Sequence, residues 1–409
     1  MNRCKVLIII LITLYSLLPA ILFAQMSWTR ACSCAAWTQR YGHTSVVFDN
    51  KMWVMGGTGD DYFNDVWYST DGVNWNQATI NAGWSLRMFQ TAINYDNKMW
   101  VMGGFGYVNL NDVWYSTNGV TWTQVTNNAG WTPRLAHSST VFNNMMWIIG
   151  GAILMPIFPY LVCLNDVWYS SNGVNWTQTN ISSPWSVRYC HSTVVYDNKI
   201  WVMGGGDTIN LYNDVWFSLN GTDWSQATPS ANWSPRGGHI TLVYDNKMWV
   251  MGGYDGVSRL SDVWYSSDGI NWTQATGPSW WVGRTGHTAL VFDDKMWIMG
   301  GTYNGGNGLN DVWYSTGLNG VEENNQPLSA ERVSLEIYPN PAKSYFTVRL
   351  PQSADRQEIK IYDVTGKVIK ELESSGNRKL RISLDGIKNG VYFVQAGDEM
   401  VKEKLVVTR

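Results

Sequence analysis

An apolar stretch ending in Gly-Gly occurs six times in this chain, with the doublets starting at residues 56, 103, 150, 204, 252 and 300. The intervals are 47, 47, 54, 48 and 48 residues. A fixed period of that length specifies an array of supersecondary units, each unable to cover its own apolar faces. The first unit reads T-S-V-V-F (44–48), a D-N-K turn, K-M-W-V-M-G-G (51–57), D-V-W-Y-S (65–69), Asp71-Gly72 and N-W-N-Q-A-T (74–79). These are four short strands, a to d. Asp-Asn and Asp-Gly tolerate the positive φ that two-residue hairpin turns require. Strand b is apolar at nearly every position, as expected of a strand covered on both faces.

One fragment is out of place. S-W-T-R-A-C at 27–32 has the form of a d strand, yet precedes the first a strand. The sixth unit runs Asp311-Val-Trp-Tyr-Ser-Thr-Gly317 and has no d strand of its own. The fragment is therefore expected to pair with strand c at 311–315 and close a ring, removing an edge prone to intermolecular pairing. The 25 tryptophans agree: four per unit, plus one from the Trp280-Trp281 doublet.

The Gly-Gly doublet, the downstream aromatic strand and the period resemble the kelch family of β-propellers. The expected fold is all-β: a six-bladed kelch-like propeller over residues 25–317, its last blade completed by the N-terminal strand, followed by a small β-sandwich. The resemblance bears on fold; kelch propellers include binding modules and a few enzymes.

Composition changes sharply after the repeats. Residues 25–316 contain 13 Lys and Arg against 19 acids, all of them Asp, and the first Glu is Glu322. Residues 318–333 read as a linker of Gly, Asn, Glu, Gln, Pro and Ser. Residues 334–409 alternate strands with Gly or Asn turns, about seven strands in all. Tyr338-Pro339-Asn340-Pro341, Asp363-x-x-Gly366-Lys367, Gly390-x-Tyr392 and Lys404-Leu405-Val406-Val407 resemble the type A C-terminal sorting domain of the type IX secretion system of Bacteroidota. That resemblance implies the type IX machinery as partner, export through the periplasm, and release or attachment at the outer-membrane surface. Residues 1–24, with Arg3, Lys5, an apolar run from Val6 to Leu18 and Ala24 at the expected cut, read as a signal peptide. No later stretch has the length and apolarity of a transmembrane segment. A net charge of −3 argues against nucleic acid as a partner.

The candidate chemistry is repetitive. All five histidines, His43, His137, His191, His239 and His287, share one repeat position, taken by Gln90 in the second unit. A catalytic triad needs three different partners in one neighbourhood, so these read as structural and no catalytic residue is assigned. The Ser69–Trp75 turn resembles the Asp-box of sialidases, a structural turn there, and carries no activity here. Asp60, Asp61, Asp207 and Asp255 lack the regular spacing of a calcium loop. No metal or cofactor is expected, and nothing marks the Tyr and His set of a copper site.

Arg40, Arg87, Arg134, Arg188, Arg236 and Arg284 follow Trp37, Trp84, Trp131, Trp185, Trp233 and Trp281 by three residues, once per unit. In an up-and-down blade the d-to-a connections lie at the same end as the b–c loops. These pairs are thus expected to ring one mouth of the channel. Two roles remain open: stitching blades through the Asp of D-V-W, or gripping a carboxylate, sulfate or glycan, since arginine forks bind planar anions; the kelch resemblance implies an acidic peptide as a further ligand of that mouth. The third b–c loop, Ala152 to Cys163, is apolar, and Cys163 is expected to form a disulfide with Cys190. The functional expectation is a secreted or cell-surface, non-catalytic recognition or adhesion propeller. The alternatives are a carbohydrate-active enzyme using the Arg/Trp mouth, with Tyr62, Asp207 or Tyr303 as its distinctive residue, or an envelope scaffold.

Overall fold

Six inner strands, Thr44–Phe48, Thr91–Tyr95, Ser138–Phe142, Ser192–Tyr196, Ile240–Tyr244 and Thr288–Phe292, surround a central channel in the computed structural model. The structure describes residues 25–155, 160–180, 183–275, 281–303, 306, 308–319, 336–338, 342–349, 358–363, 367–373, 379–396 and 402–407. The proposed signal peptide, most of the linker, and Pro339, Asn340, Pro341 and Gly366 lie outside the described residues. The chain separates into two units, residues 1–322 and 323–409.

In the first unit every sheet has four antiparallel strands. In the first blade these are Thr44–Phe48, Lys51–Thr58, Tyr62–Ser69 and Asn76–Thr79. The last blade closes as its missing strand requires. Gln25–Cys32 pairs with Val312–Asn319, with Trp28 opposite Ser315 and Arg30 opposite Trp313. That ladder runs past Gly317, because Met26 pairs with Leu318 and Gln25 with Asn319. Strand c therefore extends two residues into the segment read as linker.

Packing between blades is periodic. Asp49 and Asn50 at the a–b turn have φ of 48° and 53°, matching the turn's demand. The b strands are buried along their length; Met52, Val54 and Met55 are fully covered. Each tryptophan of a d-to-a connection meets the d-strand tryptophan of the following blade edge-on, as Trp37 meets Trp75 with ring centroids 5.9 Å apart at 89°. Trp281 meets Trp28 in the same way at 6.2 Å and 79°, so the N-terminal strand supplies the packing that the other five joints have. Gly72 shows why the c–d turn uses glycine. Its φ is 73°, and a Cβ there would lie 2.1 Å from the Trp297 ring of the preceding blade.

The second unit has a three-stranded sheet, in the order Glu336–Tyr338, Tyr345–Arg349, Lys379–Ser383, and a four-stranded sheet, in the order Val368–Glu373, Glu358–Asp363, Gly390–Ala396, Lys402–Val407. Phe346, Val348, Ile359, Ile361, Val394 and Leu405 form its core. Of the sorting-motif residues, Tyr338 ends the first of these strands. Asp363 and Lys367 close a turn in which the Lys367 amide donates to Asp363 Oδ1 at 3.1 Å. Tyr392, buried, donates its hydroxyl hydrogen to the Lys388 carbonyl at 2.9 Å.

Candidate functional site

The d-to-a connections do lie at the b–c end, but the arginines do not face the mouth. Arg40, Arg87, Arg134, Arg188, Arg236 and Arg284 are each 0% exposed. Each forks onto the Asp of D-V-W: Arg40 Nη1 and Nη2 donate to Asp65 at 2.6 and 2.8 Å, and Arg134 donates to Asp166 at 2.6 and 2.8 Å. Asp112, Asp214, Asp262 and Asp311 hold the other four. Nη1 of each also donates to the first glycine carbonyl of the Gly-Gly pair, as Arg40 does to Gly56 at 2.9 Å. The second carboxylate oxygen accepts from the indole of the same strand, Trp67 to Asp65 at 2.7 Å.

The backbone of each arginine belongs to the preceding blade. The Arg87 amide donates to the Phe63 carbonyl, and its own carbonyl accepts from Gly57. Its side chain grips Asp112 of the next blade. Trp37, Trp84, Trp131, Trp185, Trp233 and Trp281 are likewise buried, each 5.4–5.9 Å from its arginine's guanidinium carbon. The expectation that these twelve residues bind a ligand is corrected: they rivet blade to blade. The connector passes beneath the b–c loop, so a guanidinium placed there meets a carboxylate before it meets water. Asn64, Asn111, Asn165, Asn213 and Asn310 add to the joint by donating to the carbonyls of the connector tryptophans.

The axis contains a feature with only a partial side-chain signature. The residue before each channel histidine or Gln90 has positive φ: Gly42, Phe89, Ala136, Cys190, Gly238 and Gly286. Their amides donate around a closed circle: Phe89 to Gly42, Ala136 to Phe89, Cys190 to Ala136, Gly238 to Cys190, Gly286 to Gly238 and Gly42 to Gly286, at 2.7–3.1 Å. This six-membered collar rims a channel of ≈ 260 Å³ lined by the histidines, Gln90 and Ser and Thr hydroxyls. His137 Nε2 bonds Thr91, His191 bonds Ser138 and His43 bonds Thr288. Burial, then the adjacent arginine, lowers His43 and His137 to about 3; His239 reaches the same value by the same causes. His191 and His287 are held well below the usual value. The rings are neutral, and those of His43, His137 and His191 hydrogen-bond the hydroxyl of a neighbouring strand.

That neutrality predicts acid lability. The unfolded chain protonates His43, His137 and His239 near 6.5, whereas the folded one does so only near 3, so folding excludes protons across that interval, and His191 and His287 act in the same direction. Stability is complete above about pH 6.5 and falls as pH drops toward 3, by about 2 kcal/mol at pH 5 for each of His43, His137 and His239. His137→Gln, copying Gln90, should lower the midpoint of acid unfolding. An unchanged midpoint by circular dichroism would contradict this.

The Cys163–Cys190 bond is also corrected: Cys32, Cys34, Cys163 and Cys190 are all free thiols. Cys190 is held in the collar through both its amide and carbonyl, and Cys163 sits opposite Ala152 in a ladder. Burial, then Cys163, pushes the Cys190 thiol up to about 12.

The b–c loops remain. Asp207 is desolvated, which raises it, but the Tyr212 hydroxyl and the Asn210 and Ile209 amides outweigh this and hold it below the usual range. Asp255 Oδ1 accepts from the Val257 and Ser258 amides. Asp61 Oδ1 accepts from the Tyr62 amide. Tyr62 is raised by burial and then by Tyr41, Tyr107 and Asp61. Its ring meets Phe105 and Tyr107 edge-on at 6.2 and 5.7 Å, and Tyr107 is 76% exposed. Residues 156–159 of the apolar third loop lie outside the described residues.

A repeated arginine–aspartate rivet, a Gly-Gly turn and four-stranded blades around one axis are the architecture of one family. The chain belongs to the kelch-repeat family. It matches the KLHDC2/KLHL20/DRC7 Kelch-repeats domain over residues 14–151 and 160–278, and the Kelch motif over residues 283–314. The kelch propeller is followed by a match to the secretion system C-terminal sorting domain over residues 336–408, a tail that marks a chain for export. Among solved structures, that of YjhT aligns with a TM-score of 0.57 at 15% identity, covering 69% of this chain and 96% of that one. This kelch protein is also 34% identical over 108 residues to Beta-agarase A of Zobellia galactanivorans, covering 24% of this chain and 20% of that protein. It thus spans about a fifth of the length of that curated relative.

Proposed function

We propose that the protein is an exported, non-catalytic recognition propeller that binds a partner through the rim built by its b–c loops. One observation carries this reading. The residues common to all six units are spent inside the wheel, and what differs between units is gathered at one end. Tyr107, Ile209 and Val257, which are 76%, 88% and 88% exposed, stand on three different b–c loops. Exposed aromatic and apolar side chains on a rigid scaffold are typical of recognition surfaces. The rim carboxylates of Asp61, Asp207 and Asp255 are committed to their own loops, which supports binding over acid–base chemistry. The sorting tail supports delivery by the type IX route, with release or surface attachment as its end point.

The test is a glycan and peptide array probed with the full exported chain. Tyr62→Ala with Tyr107→Ala should weaken the captured ligand by about tenfold or more and leave thermal unfolding unchanged. Turnover of a polysaccharide, abolished by one rim substitution, would refute the reading. It would favour the carbohydrate-active alternative, which the partial likeness to Beta-agarase A supports but which no longer has an Arg/Trp mouth to use.

A further inference from the structure

One position breaks the sixfold pattern beside the axis. The residue after each rivet arginine is Tyr41, Met88, Leu135, Tyr189, Gly237 or Thr285. Each forms a bridge with the start of its own blade's b–c segment, as Tyr41 does with Thr58, Tyr189 with Gly206 and Gly237 with Tyr254. Five units have a side chain there and the fifth has none. The space left is a cavity of ≈ 430 Å³, lined by Tyr189, Leu211, Tyr254, Val257, Arg259 and Thr285 among others. The backbone does not demand glycine at this position. A Cβ on Gly237 would sit 3.4 Å from Leu211 Cδ2 and 3.6 Å from Cys190 Cβ, which is ordinary contact. The consequence of Gly237 is the opening itself.

Arg259 enters this cavity and differs from the six rivets. It lies opposite Tyr254 in the b–c ladder, with its guanidinium carbon 5.8 Å from the Tyr254 ring centre. Its Nε is buried without a hydrogen-bond partner, and it has no carboxylate within ion-pair distance among the described residues. Asp255, the acid on its own loop, is occupied by the Val257 and Ser258 amides. A guanidinium in a half-buried cleft gains most from a carboxylate that reaches both arms of its fork.

We propose that this cavity binds a uronic acid, a pyranose carrying a single ring carboxylate, with Arg259 holding the carboxylate and Tyr189 and Tyr254 lying along the sugar. The volume falls within the range of small-ligand pockets and suits one ring. The two tyrosines offer aromatic faces, and the Tyr189 hydroxyl, with the Tyr254 and Thr285 oxygens that donate to the Gly256 and Gly238 carbonyls at 2.6 and 3.3 Å and so remain acceptors, offers polar contacts that a saturated sugar uses and an aliphatic acid does not. This assignment rests on the rim reading and names the ligand of one part of it.

The experiment is titration calorimetry of the full chain with glucuronate and galacturonate, against glucose, galactose, acetate and a short peptide with a free C-terminus. A uronate should bind about tenfold or more tightly than its neutral counterpart and than acetate. Arg259→Gln should remove that preference, and Gly237→Leu should block binding by filling the cavity, both with unchanged thermal unfolding. Equal affinity for acid and neutral sugar, tighter binding of acetate or the peptide, or wild-type affinity in Gly237→Leu would overturn the proposal. If no uronate binds but the Tyr62→Ala, Tyr107→Ala protein still loses its array ligand, the cavity is wrongly assigned and the rim reading stands. If the array also shows no rim-dependent ligand, both fall.

Discussion

Arg134→Met is expected to cost the propeller about 3–5 kcal/mol, read as a lowered urea midpoint. Arg134 is fully buried and Asp166 is 8% exposed, so removing the cation strands a carboxylate in the interior. The side chain also donates to the carbonyls of Gly150 and Thr132 at 2.8 and 3.0 Å, leaving both without that partner. Its backbone stays pinned to the second blade through the Leu110 carbonyl and the Gly104 amide, so the loss falls on the joint between blades two and three. Replacing both members, Arg134→Met with Asp166→Leu, should restore much of the stability, since desolvating the ion pair offsets a large part of its attraction. A single variant that unfolds like the wild type but no longer binds the array ligand would return these arginines to a ligand-binding role.

Trp28→Ala should be about as damaging, at about 3–5 kcal/mol, and deletion of residues 25–32 worse. Trp28 is 5% exposed and fills the same edge-on slot against Trp281 that Trp75 fills against Trp37. The Met26 amide also donates to the Ala275 carbonyl of the fifth blade at 3.1 Å, so the strand binds two blades at once. Without it, Val312–Asn319 becomes an open edge, a template for pairing with other chains. Size-exclusion chromatography should show association of the deleted protein, and a peptide of residues 25–32 added in excess should reverse it. A deleted protein that stays monomeric and melts with the full chain would show that the ring needs no such closure.

Much of the propeller was legible because its determinants are local. Alternation, turn dipeptides and a Gly-Gly period each report on neighbouring residues, and a count of d strands was enough to move residues 27–32 into the last blade. The arginines show the limit. Their spacing from tryptophan located them at the correct end of the wheel, and the Asp of D-V-W was recognised as one of two partners. Spacing does not say which of two groups at one end is covered by the other. The connector runs under the b–c loop, and that placement made a salt bridge of what sequence also allowed to be a binding mouth. The disulfide failed for a related reason: proximity at one end of a blade says nothing about how Cys190 is held in the collar.

Two features had weaker signals still. The axial collar is made of main-chain groups from Gly42, Phe89, Ala136, Cys190, Gly238 and Gly286, and only three of these are glycine, so the side-chain pattern announces it in half of the units. Gly237 was visible as a departure from Tyr41 and Tyr189, but its meaning depended on Arg259, more than twenty residues away in sequence, entering the same space.

Amino-acid order by itself determined the strands, their number per unit, the closure of the ring and the presence of a separate sorting tail, because hydrophobic period and turn chemistry act over a few residues. Only the packed wheel decided which charges are buried, which thiols stay free and where a cavity opens. Those outcomes depend on which surfaces lose water when blades meet, and desolvation is a property of the assembled structure.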